Sequence, residues 1–187
     1  MKKVIIGLSL IAMSQFSFAQ KEISGVTPAK SIEVSGTTLN FNGAGLREKF
    51  FLDLYVGALY LTSNTKDANS IIESDQSMAI TLDIVSGLIN SEKMINAIDD
   101  GFDKSTKGNT TPLKAKIEQF KESFKEEIVV GDHYVIAYIK DKGTEVHKNG
   151  KKVKSIEGLE FKKALFGIWL CDEPADEDLK EGMLGID

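Results

Sequence analysis

Cysteine and arginine are almost missing from this chain. Among its 187 residues there is one of each, Cys171 and Arg47, beside two histidines, three prolines and one tryptophan. A single thiol makes no internal disulfide, so the core must hold the fold unaided. Asp172 and Glu173 follow Cys171, and neighbouring negative charge disfavours a reactive thiolate. His133 and His147 fall on different expected strands, with no Cys or carboxylate cluster at ligand spacing beside either, so no metal site is expected. No G-x-S-x-G occurs for Ser-His-Asp chemistry. Gly43-Ala44-Gly45 opens like a dinucleotide fingerprint, but no third glycine starts a helix, and no cofactor is expected. A basic stripe is missing too. The 28 acidic residues outnumber the 23 basic ones and leave a formal charge of −5, which argues against nucleic acid as a partner.

What is there begins with an export signal. Lys2 and Lys3 precede an apolar run from Val4 to Ala12 that Phe16 and Phe18 extend. Ser17-Phe18-Ala19 then sets small residues at the two positions a signal peptidase reads, before a cut ahead of Gln20. Residues 1–19 are therefore expected to be a cleaved signal peptide and residues 20–187 a single domain, periplasmic or secreted. Losing both lysines takes the formal charge from −5 to −7. No later run approaches the roughly 18 apolar residues of a membrane span, so no integral membrane segment is expected in the mature chain.

Ser31 to Ser35 alternates as a strand does, with Ile32 and Val34 on one side. Leu39 to Phe41 is a second short strand, which Asn42-Gly43-Ala44-Gly45 is expected to break. Phe50 to Leu61 is the longest apolar stretch of the domain and reads as a strand buried on both faces. Met78 to Ile84 alternates again. Ser91 is placed to cap a helix with Met94, Ile95, Ile98 and Phe102 on one stripe, and Thr111-Pro112 to open another with Leu113, Ile117, Phe120 and Phe124. His133 to Lys140 is a strand, and Glu145 to Lys154 a hairpin turning at Asn149-Gly150. Two helices follow, one carrying Phe161, Leu165, Ile168 and Trp169, the other spanning Asp176 to Met183 with Asp176 as cap. Hairpins in place of regular βαβ alternation predict an α+β fold, a largely antiparallel sheet with helices on one face.

Arg47 stands apart. A chain that uses 22 lysines for solubility has kept one guanidinium, whose planar fork matches a carboxylate in a way that lysine cannot. The plainer alternative is a surface arginine paired with Glu48 or Asp53. Both faces of two strands are apolar, Phe51 to Tyr60 in one and Tyr134 to Ile139 in the other. The face away from the helices then needs a cover, either packed loops or an apolar cleft of the kind that binds small molecules.

The segment Gly43-Ala44-Gly45-Leu46-Arg47-Glu48-Lys49, continuing through Leu54-Tyr55-Val56-Gly57-Ala58-Leu59-Tyr60-Leu61, resembles the opening strand pair of the chalcone isomerase superfamily. Ile89-Asn90-Ser91-Glu92-Lys93 is similar to a helix start of that family. Phe161 to Leu170, Glu173-Pro174 and Leu179-Lys180 resemble its closing helices. The likeness runs from about residue 31 onward and is greatest to the bacterial, commonly exported, chalcone isomerase-like group. It implies an open-faced β-sandwich, a large antiparallel sheet under a helical layer with a ligand cleft between them. In the isomerases an arginine, a threonine and a tyrosine assist intramolecular ring closure; fatty-acid-binding relatives pair the arginine with a tyrosine in the threonine's place. By the resemblance these positions fall on Arg47, Tyr55 and Asn90. Arg47 and Tyr55 thus suit a carboxylate, while Asn90 departs from the catalytic pattern. The expectation is a non-catalytic protein binding a fatty-acid-like or other amphipathic carboxylate. An isomerase of intramolecular lyase type and an envelope interaction module without ligand stand as alternatives.

Overall fold

Central strands apolar on both faces and hairpin turns between neighbours fold this chain into a seven-stranded antiparallel sheet of order β1-β2-β3-β4-β5-β6-β7, in a computed structural model that describes residues 22–186. The expected signal peptide, residues 1–19, lies outside the described residues. The strands are β1 (Ser31–Val34), β2 (Thr37–Lys49), β3 (Leu52–Leu61), β4 (Met78–Ile84), β5 (His133–Ile139), β6 (Gly143–Lys148) and β7 (Lys151–Ile156). Helix α1 (Ala68–Glu73) links β3 to β4. Helices α2 (Ser91–Ser105) and α3 (Lys114–Lys121) link β4 to β5, and α4 (Leu159–Leu170) and α5 (Glu177–Leu184) follow β7. The class is α+β, with the sheet curled into a half-barrel and helices over one face.

Local signals placed most of these elements. Ser35-Gly36 and Asn149-Gly150 close tight hairpins with φ positive at both residues, the backbone that a two-residue hairpin turn requires. Pro112 sits in the first turn of a 3₁₀ segment, Thr111–Leu113, that runs into α3. The Asp176 carboxylate caps α5, its Oδ1 accepting from Leu179 N at 2.9 Å.

Three readings of the sequence are corrected. Gly43-Ala44-Gly45 does not break the chain: β2 continues through it after a bulge at Asn42, and the glycines leave room for α5 to press on the strand. Phe50 and Phe51 are the two-residue turn between β2 and β3, exposed and outside the buried strand. The cap of α2 is Asn90, whose Oδ1 accepts from Lys93 N at 2.9 Å; the Ser91 hydroxyl instead donates to the Phe124 carbonyl.

Tyr55, Leu59, Ile80, Leu82, Tyr134, Ile136 and Val146 point from the sheet towards the helices. Against them pack aromatic rings from three helical segments. Phe102 lies 5.7 Å from Phe161, Phe120 5.2 Å from Phe124, and Phe124 4.9 Å from Tyr134. Edge-on and offset contacts of this kind add to the burial of apolar area that drives the fold. The other face carries a smaller apolar cluster around Ala58, Tyr60, Ala79 and Ala137. Ile23, Ile32 and Phe41 pack onto it, so the cover on this side is packed chain. No helix among the described residues is long and apolar enough to cross a membrane.

Candidate functional site

Register puts Arg47 of β2 directly opposite Tyr55 of β3, just before a bulge, and cross-strand partners share a face. That face is the helix side. Above it, α5 approaches so closely that a Cβ on Gly43 would come within 2.2 Å of the Gly182 carbonyl, and one on Gly182 within 2.6 Å of the Ala44 carbonyl. The glycines of β2, with Gly57 under Met183, form a seat for this helix. Seating α5 brings its cap, Asp176, to the guanidinium.

The result is a compact polar cluster in apolar surroundings. Arg47 Nη1 donates to Asp176 Oδ2 at 2.6 Å and to the Glu48 carbonyl at 2.9 Å. Both partners of the ion pair are largely shielded, with side chains 20% and 15% exposed. Neither Glu48 nor Asp53 supplies the carboxylate; the Asp53 side chain accepts from the Ser24 hydroxyl. The plainer alternative, a surface arginine paired with Glu48 or Asp53, is thus corrected: the partner is Asp176, at the start of a distant helix that only tertiary packing delivers.

Tyr55 is buried beneath this pair. Its hydroxyl oxygen accepts from Trp169 Nε1 at 3.0 Å. Burial pushes the phenol above its ordinary 10.0; the Trp169 hydrogen bond and the Arg47 charge oppose that, while Asp176 adds to it. Tyr55 therefore stays a neutral O–H. Among the described residues it donates to no acceptor, and the remaining guanidinium N–H groups of Arg47 are likewise uncommitted. Arg47 holds the Asp176 carboxylate, and Tyr55, its cross-strand neighbour, lies within reach of both charges. A carboxylate offers about four acceptor positions and suits such a set of donors.

Asn90 joins neither. Its amide oxygen is spent capping α2, and it makes no hydrogen bond to Arg47 or Tyr55. Where the resemblance implies a cleft between sheet and helices, buried Trp169 packs beside Tyr55 as part of the apolar core. A hollow of about 410 Å³ lies between α5, β2 and residues Glu22–Ile23, but Glu48, Asp178 and Glu181 line it, which suits no anion.

A second buried charge escaped the sequence reading. Lys162 of α4 is fully buried and donates to the carbonyls of Ile71, Ile72 and Ser74 at 2.7, 2.8 and 2.7 Å. It closes the C-terminal end of α1. Burial pushes its ammonium down to about 8, so it remains charged at neutral pH. Three acceptors at short distance make its role structural.

A family model described as chalcone isomerase-like matches residues 20–185. The chain belongs to the chalcone isomerase-like family. Among solved structures, it resembles an Arabidopsis thaliana fatty-acid binding protein with a TM-score of 0.67 and 19% identity, over 88% of this chain and 94% of that one. At that identity the likeness shows the shared fold. No curated protein matches the chain. Within this chalcone isomerase-like domain, Trp169 and Asp176 are the site residues that sequence reasoning missed. Trp169 looked like one more member of an apolar stripe, and Asp176 like a helix cap alone.

Proposed function

We propose that this protein binds a fatty-acid-like or other amphipathic carboxylate, without catalysing a reaction on it. One observation carries the reading: a largely shielded guanidinium, paired with the Asp176 carboxylate, stands cross-strand from Tyr55, a buried phenol that feels both charges and gives its O–H to no acceptor among the described residues. The same donors would hold a ligand's carboxylate once Asp176 moves aside, and its chain would displace the packing around Trp169 between sheet and helices. The family and the fatty-acid binding protein of the same fold support this reading. An isomerase reading gains nothing from Asn90, which has no proton to relay at neutral pH and is committed as a cap.

Calorimetric titration with lauric, palmitic and stearic acids tests it. Wild type should bind, and Arg47→Ala should lose about 2–5 kcal/mol, as for truncating one partner of a buried charge pair. Arg47→Lys should fall between the two, and Tyr55→Phe should cost about 0.5–3 kcal/mol depending on the charge of its partner. If wild type binds none of these acids, or Arg47→Ala binds as well as wild type, the reading fails. The pattern of residues 1–19 supports work outside the cytoplasm. Protein from the native host should then begin at Gln20 by intact mass, and retention of Met1 in cytoplasmic material would refute export.

A further inference from the structure

Three hairpins of this sheet close on two residues that both have positive φ. Between β1 and β2 they are Ser35 and Gly36, and between β6 and β7 Asn149 and Gly150. These are residues that such a turn favours. Between β2 and β3 they are Phe50 (φ 53°) and Phe51 (φ 63°). A bulky side chain in the left-handed region is strained, and here two stand in succession. Nor do the rings pack into the protein. Phe50 is 83% exposed and Phe51 99%, and the one contact of note is the Lys49 ammonium 5.9 Å from the Phe50 ring. A turn that forgoes its favoured residues to hold two rings in water presents them to something outside the chain.

Topology adds to the patch. Val85 N donates to the Leu54 carbonyl, and Gly131 N to the Ile84 carbonyl, so the loops after β4 and before β5 lie at the same end of the sheet as this turn. Those loops carry exposed Leu88 and exposed Val129 and Val130, and Leu52 begins β3 beside the rings. Six of the seven large exposed apolar residues among the described residues are at this one end. The seventh, Ile186, is the last described residue.

We infer that this end of the sheet docks on a lipid surface with zwitterionic headgroups, the rings of Phe50 and Phe51 entering the boundary between headgroups and acyl chains. The shape favours lipid over protein. The two rings offer roughly 300–500 Å². The rest of the patch is spread over separate loop tips, short of the flat area of about 800 Å² per partner that a stable protein interface takes. Protruding rings need a fitted pocket on a protein but none in a fluid bilayer. Charge favours zwitterionic lipid. At this end Lys49, Lys93 and, from the β6–β7 hairpin, Lys148 and Lys151 are matched by Glu48, Asp53, Glu127 and Asp132. No basic cluster therefore faces an anionic leaflet there, and a chain of formal charge −5 is repelled by one. The long lysine stems can keep their ammonium groups at headgroup level. The inference rests on this surface alone and is independent of any ligand at Arg47.

Flotation with phosphatidylcholine vesicles tests it, comparing wild type with Phe50→Asn/Phe51→Gly, both proteins starting at the same residue. Asn-Gly is the favoured sequence for this turn, so the variant should melt at or above the wild-type temperature. Its partitioning onto vesicles should nevertheless fall at least tenfold, with little effect of salt on the wild type. Equal flotation of the two proteins overturns the inference, as does a wild type that stays with the dense fractions. If the variant instead abolishes a concentration-dependent self-association while vesicles are ignored, the patch belongs to a second copy and lipid docking is refuted.

Discussion

Asp176 serves two helpers at once: its Oδ1 accepts from Leu179 N at 2.9 Å and caps α5, while its Oδ2 accepts from Arg47 Nη1 at 2.6 Å. The two residues are 129 positions apart. The carboxylate that closes the helix is therefore also the anion that neutralises the only guanidinium of the chain. A ligand carboxylate at Arg47 has to exchange with a group already there.

Asp176→Asn separates the two duties. Asparagine is as good an N-cap as aspartate, so α5 keeps its start, while the negative charge on Arg47 is lost. Under the carboxylate-binding reading the variant should bind fatty acids more tightly, by roughly tenfold to a hundredfold, the worth of a charged hydrogen bond of about 1.5–3 kcal/mol. Calorimetry with palmitic acid on both proteins checks this, and unchanged or weaker binding would show that Asp176 does not compete for the site.

Gly182→Ala sets two effects against each other. Alanine gains about 1 kcal/mol over glycine inside a helix. Its Cβ, however, would stand 2.6 Å from the Ala44 carbonyl and 2.9 Å from Gly45 Cα, both of them backbone that cannot rotate away. Overpacking of this kind costs about 1–3 kcal/mol, and lifting α5 also strains the Arg47–Asp176 pair, so a net loss of stability is expected. Denaturant melting is the check, and a variant more stable than wild type would contradict the close seating of α5.

Lys162→Met keeps the volume but removes the donor to three carbonyls. Each acceptor left dry costs about 1–3 kcal/mol, offset by no longer burying an ammonium, so the net loss should be on the order of 3 kcal/mol. Hydrogen exchange should show α1 opening first. A methionine variant as stable as wild type would mean that the carbonyls find other partners.

Glu145 gives the fold an acid-sensitive contact. Burial alone would raise its carboxyl, but hydrogen bonds from Lys152 at 2.6 Å, Ser35 at 2.7 Å and His147 at 3.2 Å win and take it from 4.5 down to about 2. A depressed carboxyl contributes stability that is fully present above its unfolded value and lost as pH falls through its folded one. The shift corresponds to on the order of 3 kcal/mol at most. The melting temperature of wild type should therefore exceed that of Glu145→Gln by a steady margin above about pH 5, narrowing towards pH 2. A margin that does not change over that interval would show that Glu145 is not held as its contacts imply.

What the sequence settled by itself lies within short reach along the chain. The Asn149-Gly150 turn, the opening of the third helix at Pro112, the Asp176 cap and the alternation from Met78 to Ile84 each depend on groups a few residues apart, and local sterics and hydrogen bonding decide them wherever the rest of the chain goes. The α+β class follows from the order of such elements. Arg47 and Tyr55 were legible as a pair only through the family resemblance; the register of β2 against β3 is what sets them face to face. Everything about what meets them came from packing between distant segments. Gly43-Ala44-Gly45 reads as a break until α5 lies on it, since a glycine run is a weak strand alone and a necessary one under a close helix. Nothing local marks Lys162 as buried; it becomes so because α1 points three carbonyls at it from about ninety positions away. Phe50-Phe51 reads as buried strand until the register of β2 against β3 makes it the turn. Asp176 reads as a cap until the glycine seat swings it onto Arg47. In each case the deciding interaction joins residues that no local rule connects, so the choice fell to the tertiary structure.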